Sequence, residues 1–193
     1  MEHVIALDVG GTGMKAALVA ADGTLLHEAR RPTGRERGPD AVIGSLLDFA
    51  ADLRAYGEAA YGEAAAAAGV AVPGLVDERA GVAVYSANLG WRDTPLRDLL
   101  TRRLDGTPVA LGHDVRAGGV AEGRLGAGRG AERFLFVALG TGIAGAVGID
   151  GRVEATELGH IVVRPGGPVC GCGGRGCLET AASAAAVAHA WQA

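Results

Sequence analysis

A pattern that occurs twice restricts this chain more than any other feature. Near the start, ALDVGGTGMKAALVAADGTL reads as an apolar strand, a Gly-Thr-Gly turn, a second apolar run and an Asp-Gly turn. Around 137–153, VALGTGIAGAVGIDGRV repeats that order. Gly11-Thr12-Gly13 matches Gly140-Thr141-Gly142, and Asp22-Gly23 matches Asp150-Gly151 with one residue of slippage. Short β-branched runs broken by glycine, with Asp-Gly between them, are strand and hairpin signals. The expectation is three antiparallel strands over about residues 3–31, a second copy of the hairpin, and two similar halves facing one ligand. The 33 glycines among 193 residues fit this reading. They are more than twice the usual share of about 7%, and they sit between apolar runs, where tight turns and close backbone approaches need them.

The remaining segments complete a mixed α/β reading. Residues 39–68 are rich in Ala, Leu and Glu and predict a helix, with Gly57 or Gly62 as a break. VAVPG at 70–74 predicts a strand, and the segment from Leu75 to Trp91 predicts turns with a short hairpin. A helix is expected over 94–104, with Thr94 as its N-cap and Pro95 in its first turn. PVALGHD at 108–114 is a strand ending on a charged residue, and a glycine-weakened helix or helix-plus-loop follows. The 164–177 stretch is an irregular Gly/Pro/Cys loop, and 179–193 reads as one helix.

A glycine turn between strands aims backbone N–H groups into a concavity that suits an anion, and threonine adds a hydroxyl. Neither turn is a Walker A loop, because Lys15 lacks the preceding glycine spacing and the following Ser or Thr. Gly11-x-Gly13-x-x-Ala16 fits the dinucleotide fingerprint, which requires a helix immediately afterwards. An Asp-Gly hairpin stands there instead. A plain hairpin role competes with phosphate binding for one copy alone. The duplication, and Asp8 just ahead of the first turn, favour phosphate. A carboxylate at a strand end can also hold Mg²⁺, usually through water.

His160, Cys170, Cys172 and Cys177 follow the pattern H-x9-C-x-C-x4-C. Four ligands of this kind in one short segment match a closed Cys₃His zinc site, and glycines at 171, 173, 174 and 176 let the loop wrap a small ion. Free cysteines are usually buried in apolar sequence, and these are not. With four protein ligands such a zinc has no open position, so its role is structural.

Charge and hydropathy exclude other classes. The net charge of -4 argues against a nucleic-acid surface, which needs clustered Lys and Arg. No run of 18 or more apolar residues lacks charges, so no membrane partner is expected. MEHVIALDVGG has no basic n-region and enters a strand pattern directly, unlike a signal peptide. The cytoplasm is the expected location.

Together, LDVGGTGMKAAL, VAVPGLVD, SANLGW, GHDVRAGGVAEGRLGAG, LGTGIAGA and ELGHIVVRPGGPVCGCGGRGCLE resemble the ROK family (repressors, open reading frames and kinases) over nearly the whole chain. The zinc segment is the most specific of these motifs. The resemblance implies the duplicated actin-like, RNase-H-like sugar kinase fold. An N-terminal α/β domain would cover 1–113, and part of a second would cover 114–193, with the zinc loop at 160–177. It implies an ATP-dependent hexose kinase, glucose first among its substrates, with Mg²⁺ and a structural Zn²⁺. Asp114 matches the base that activates the sugar hydroxyl. Asn88, Glu157, His160 and Glu179 match sugar contacts, and one ring nitrogen of His160 can meet zinc while the other meets sugar. Gly10, Gly11 and Thr12, with Asp8 and Lys15 beside them, and Gly140, Thr141 and Gly142 match the two phosphate turns. A homodimer or tetramer is implied as well.

Three departures stand out. His113 precedes the base where kinases of the family commonly have Asn, and GRVEATELGH is shorter than usual. A complete two-domain kinase of this fold needs roughly 300 residues, so the chain is expected to lack part of its second domain. Two other functions compete. One is a non-catalytic sugar- or zinc-binding remnant. The other is a sugar-responsive transcriptional regulator, which the start of the first strand at residue 4 argues against because no helix-turn-helix precedes it.

Overall fold

A computed structural model describes residues 1–192, and its elements fall into two compact units, Met1–Asp114 and Val115–Ala193. In the first unit, the repeat's first copy forms β1 (His3–Val9), β2 (Gly13–Ala20) and β3 (Leu25–Pro32). These pair antiparallel, as the two turn signals require. The helix α1 (Pro39–Tyr61) follows, then β4 (Ala67–Val72). β4 lies parallel to β1 on the side away from β2, and β8 (Val109–His113) lies parallel to β4. The sheet order is β3-β2-β1-β4-β8.

Alternation along β1 buries Ile5, Leu7 and Val9 in one core with Val42, Leu46, Phe49, Ala50 and Leu53 of α1. Each of the larger of these side chains contributes about 1.5–3 kcal/mol when fully removed from water. Between β4 and β8 the chain forms a small antiparallel sheet of β5 (Leu75–Asp77), β6 (Val82–Ser86) and β7 (Trp91–Thr94), then α2 (Leu96–Arg103).

The second unit opens with α3 (Asp114–Leu125), whose first residue closes the first unit. The second copy of the repeat then forms β9 (Arg133–Leu139), β10 (Ile143–Ile149) and β11 (Arg152–Thr156), in the order β11-β10-β9. Asp150 and Gly151 have φ of 50° and 78°, the backbone of a type I′ hairpin turn. The glycines that weaken α3 as an isolated helix let it lie flat on this sheet. A Cβ at Gly118 would stand 2.8 Å from the Phe136 ring, and one at Gly123 2.8 Å from Phe134. A 3-10 turn at Leu158–His160, the cysteine loop, α4 (Glu179–Ala182) and α5 (Ala184–Gln192) complete the unit.

Four sequence expectations change. α1 runs unbroken through Gly57 but stops at Tyr61, where Gly62 takes a left-handed backbone. The alanines at 67 and 68 enter β4, because pairing with both β1 and β8 outweighs alanine's helix preference. Thr94 ends β7 and bonds the Arg92 carbonyl, so it does not cap α2. The single helix expected over 179–193 divides at Ser183, whose Oγ accepts the Ala186 N–H as an N-cap while the Ala184 N–H goes to Gly140. Ala193 lies outside the described residues.

Candidate functional site

In the first unit, β1, β4 and β8 run parallel and end together, with Asp8 opposite Ala71 and Val72 opposite His113. Ligands of open α/β sheets bind at the carboxyl ends of such strands. Asp8 lies there, one residue before the end of β1, and Asp114 follows β8 directly. Burial raises the Asp8 carboxyl above its ordinary value, Lys15 opposes this, and the charge of Asp114 adds to it. The two carboxylates therefore sense one another. Lys15 faces Asp8 across the β1–β2 pair, with Nζ 3.8 Å from Oδ2. His113 Nδ1 lies 3.5 Å from Asp114 Oδ1, and the His113 N–H donates to Glu78 Oε1 at 3.3 Å.

The turn between β1 and β2 stands at the same end. Its Gly10 N–H is spent closing the turn on the Gly13 carbonyl. The N–H groups of Gly11 and Thr12 donate to nothing among the described residues, so they are the donors open to an anion. Asn88 is exposed and lies against this turn, its Cβ 3.7 Å from where a Cβ on Gly11 would be.

Thr33 is a residue that the motif reading overlooks. It is fully buried, its hydroxyl donates to the Gly10 carbonyl at 2.6 Å, and its N–H donates to the Thr12 carbonyl. It therefore pins the turn from behind. A Thr-Gly pair after a strand was the available signal, and it was indistinguishable from an ordinary loop.

The second unit carries the cysteine cluster. One ligand atom from each of His160, Cys170, Cys172 and Cys177 lies within 4.8 Å of the other three. Tetrahedral zinc, with bonds of about 2.3 Å to sulfur and about 2.0–2.1 Å to nitrogen, places sulfurs about 3.8 Å apart and a sulfur about 3.5 Å from a ring nitrogen. Cys172 and Cys177 sulfurs are 3.8 Å apart, and Cys170 Sγ is 3.6 Å from His160 Nδ1. The residues thus fit a tetrahedral cation of zinc's size. His160 turns Nδ1 to the cysteines and Nε2 toward Glu157, 3.8 Å from Oε2.

Glu179 stands at the start of α4 with Oε1 2.9 Å from Cys170 Sγ, accepting from the thiol. Its Oε2 is 2.9 Å from where a Cβ on Gly142 would be, so this carboxylate also borders the second glycine turn. Within the loop the Cys172 N–H favours the Cys170 thiolate, but the Glu179 carboxylate and burial outweigh it and push Cys170 up to about 12. Cys172 is held below its ordinary value, first by the Gly174 N–H and then by Cys170. In the Gly140–Gly142 turn the Gly140 N–H closes on the Gly142 carbonyl, and the Thr141 N–H donates to nothing among the described residues. The structure thus gathers Asp8, Lys15, Asn88, Asp114 and the first turn in one unit. It gathers Glu157, His160, Glu179, the cysteines and the second turn in the other.

Among the described residues no helix is long and apolar enough to cross a membrane. Comparison with known proteins gives a consistent picture. A glucokinase of Thermotoga maritima is 38% identical over 191 residues, covering 95% of this chain and 58% of its own length. An N-acetylmannosamine kinase of Escherichia coli is 31% identical over 195 residues, covering 97% of this chain and 64% of the enzyme. Among solved structures, a ROK glucokinase from Streptomyces griseus in complex with glucose and AMPPNP superposes with a TM-score of 0.79 at 31% identity, over 97% of this chain and 59% of that one. A ROK transcriptional regulator superposes with a TM-score of 0.87 at 24% identity, over 98% of this chain and 49% of that one, a likeness of fold alone. The chain spans about 58% of the length of the Thermotoga glucokinase. With the ROK family model matching residues 4–193, the chain belongs to the ROK family.

Proposed function

We propose that this chain carries the base and the sugar-recognition residues of an ATP-dependent hexose kinase, with glucose as the preferred acceptor. The observation that carries the reading is the placement of Asp114 directly after β8, at the strand ends that also hold Asp8 and the first glycine turn. Phosphoryl transfer is mostly positioning and charge stabilisation, and this arrangement provides both.

Asp114 takes the proton of a sugar hydroxyl as that oxygen attacks the γ-phosphorus of ATP. The bond from the γ-phosphorus to the bridging oxygen breaks and ADP leaves. Gly11 and Thr12 offer N–H donors to phosphate oxygens, and Thr141 and Gly142 do the same from the second copy of the turn. Lys15, beside Asp8, adds a positive charge at the first turn. Asp8 fits a Mg²⁺ site, because a cation there offsets both the burial of the carboxylate and the charge of Asp114. Mg²⁺ supplies charge neutralisation on the phosphates.

Asn88, Glu157, Glu179 and His160 Nε2 present the polar groups that choose among sugar hydroxyls. His160 Nδ1 and the three cysteines would hold zinc, which would supply rigidity, and an imidazole so fixed would keep the direction of Nε2.

The test is the initial rate of ADP formation with glucose, mannose, fructose and N-acetylmannosamine, at matched zinc content, for the native protein and Asp114→Asn. Glucose is expected to lead, and the variant to be slower by about 10²–10⁴-fold, the range for a lost general base. Sugar binding without ADP formation would instead identify a non-catalytic binding module.

A further inference from the structure

A cavity in the second unit lies outside both the glycine turns and the cysteine cluster. It measures about 490 Å³ and sits between α3, the loop over 126–131 and the start of β11. Arg116, Val120, Gly123 and Arg124 line it from α3, spaced at i, i+4, i+7 and i+8, so they share one face of that helix. At 1.5 Å of rise per residue, the two arginines stand about 12 Å apart along its axis. Arg152 and Glu154 line it from β11, and they share one face of that strand because Val153 stands between them.

The walls are already fixed. Arg116 Nε donates to the Val153 carbonyl at 2.9 Å, which ties α3 to β11. On another side the Glu122 carbonyl accepts the Gly126 and Gly128 N–H groups, and its carboxylate accepts the Ala127 N–H. Gly151 belongs to the type I′ turn and closes a third side. Small organic ligands occupy pockets of about 300–1,000 Å³, so this volume suits such a ligand and exceeds what a bare inorganic anion fills.

The charge of the lining runs against that of the chain. Three guanidiniums and one carboxylate line the cavity, whereas the whole sequence carries a net charge of -4. Arg124 and Arg152 are exposed and form no ion pair among the described residues. Like charges gathered around one concavity repel until an anion enters, and the guanidinium fork matches the oxygens of a phosphate. Glu154 sets a second requirement. It disfavours a ligand that is anionic at every end, and it accepts hydrogen bonds from hydroxyls. Val120, Phe134 and Val153 add apolar surface among these polar groups.

We propose that this cavity binds a small phosphomonoester that also carries hydroxyl groups, in chemical class a monosaccharide phosphate. The arginines take the phosphate, Glu154 takes a hydroxyl, and the carbon skeleton lies against the apolar lining. The inference stands on the cavity and its charges, independently of the catalytic reading.

The test is a ¹H–¹⁵N NMR titration of the full chain at fixed ionic strength, with glucose 6-phosphate, inorganic phosphate and glucose as separate probes. With glucose 6-phosphate the Gly123, Gly128 and Gly151 amides are expected to shift together and saturate. Its binding should be at least about tenfold tighter than that of inorganic phosphate, the weight of one hydrogen bond to a charged group. Glucose alone should leave those amides in place. Arg124→Gln and Arg152→Gln, both at exposed positions, should each weaken sugar phosphate binding by about tenfold or more while the amides outside the cavity keep their shifts. Glu154→Gln should narrow the gap between the two anions. Glucose 6-phosphate shifts confined to Gly11, Thr12 and Thr141 would place the ligand at the glycine turns and overturn the proposal. So would cavity shifts with glucose alone, equal affinity for sugar phosphate and inorganic phosphate, or binding that survives both arginine changes.

Discussion

Three glycine-to-alanine changes in the cysteine loop are expected to separate by orders of magnitude in zinc affinity, and the backbone gives the ranking. At Gly176, φ is 73°, and an added Cβ would lie 1.7 Å from the Arg164 carbonyl oxygen and 2.6 Å from its carbon. The left-handed backbone alone costs a non-glycine residue about 1–2 kcal/mol. Ordinary contact needs about 3.5 Å, so the backbone must also part by more than about 1.5 Å. That movement breaks the bonds from the Val163 and Arg164 N–H groups to the Gly176 carbonyl, at 2.9 and 3.1 Å. Each is worth about 1 kcal/mol net, and the next residue is Cys177, a proposed ligand. The sum is roughly 4 kcal/mol, or about a thousandfold in dissociation constant. Gly173 has φ of 89° but nothing within 4 Å of an added Cβ, so it bears only the backbone cost, about 5–30-fold. Gly171 has neither constraint and should behave as native. Competition against a chromogenic zinc chelator measures all three. Equal losses across the series, or native affinity in Gly176→Ala, would refute the reasoning.

Other outcomes follow from the same kind of argument. Gly57→Ala should destabilise the protein by about 1–3 kcal/mol, the cost of overpacking. Its Cβ would meet buried His3 Nε2 at 2.4 Å, whereas Gly44→Ala, with open space around it, should gain about 1 kcal/mol of helix stability. Urea melts compare the pair. Asp8→Asn should raise the melting temperature at pH 7. A carboxyl whose folded pKa is raised favours the fold in acid and loses that contribution as pH climbs through the folded value. The gain should therefore fade below about pH 4, the ordinary range of aspartate. Cys177→Ser should abolish stoichiometric zinc, read by metal analysis after dialysis, because a three-ligand remnant of a closed site is left.

How far the sequence discloses the fold depends on where local chemistry decides the backbone. The Asp-Gly and Gly-Thr-Gly signals locate β1–β3 and β9–β11 because those turns demand particular φ values or side-chain-free backbone. The cysteine cluster is legible because its spacing alone brings four ligands, one His and three Cys, into one short segment. Residues 67 and 68 mislead, since alanine favours helix until the pairing of β4 with β1 and β8 overrides it. The last helix divides at Ser183 through its cap on Ala186 and the bond of the Ala184 N–H to Gly140, a partner more than 40 residues away that no local window contains. Thr33 stays hidden for the same reason, because its role lies in reaching back to Gly10 and Thr12 across the hairpin. The exposure of Leu135, Val137 and Leu139 on β9 is equally invisible in a sequence whose apolar alternation matches that of buried β1.

The assignment of Asp114 as the base of a sugar kinase is tested most directly by ³¹P NMR of glucose and MgATP incubated with the zinc-loaded protein. The account predicts glucose 6-phosphate and ADP in equal amounts, with transfer at least about 100-fold slower in Asp114→Asn at the same zinc content. Folded, zinc-loaded protein that makes no sugar phosphate, or that makes it equally well without the Asp114 carboxylate, would contradict it.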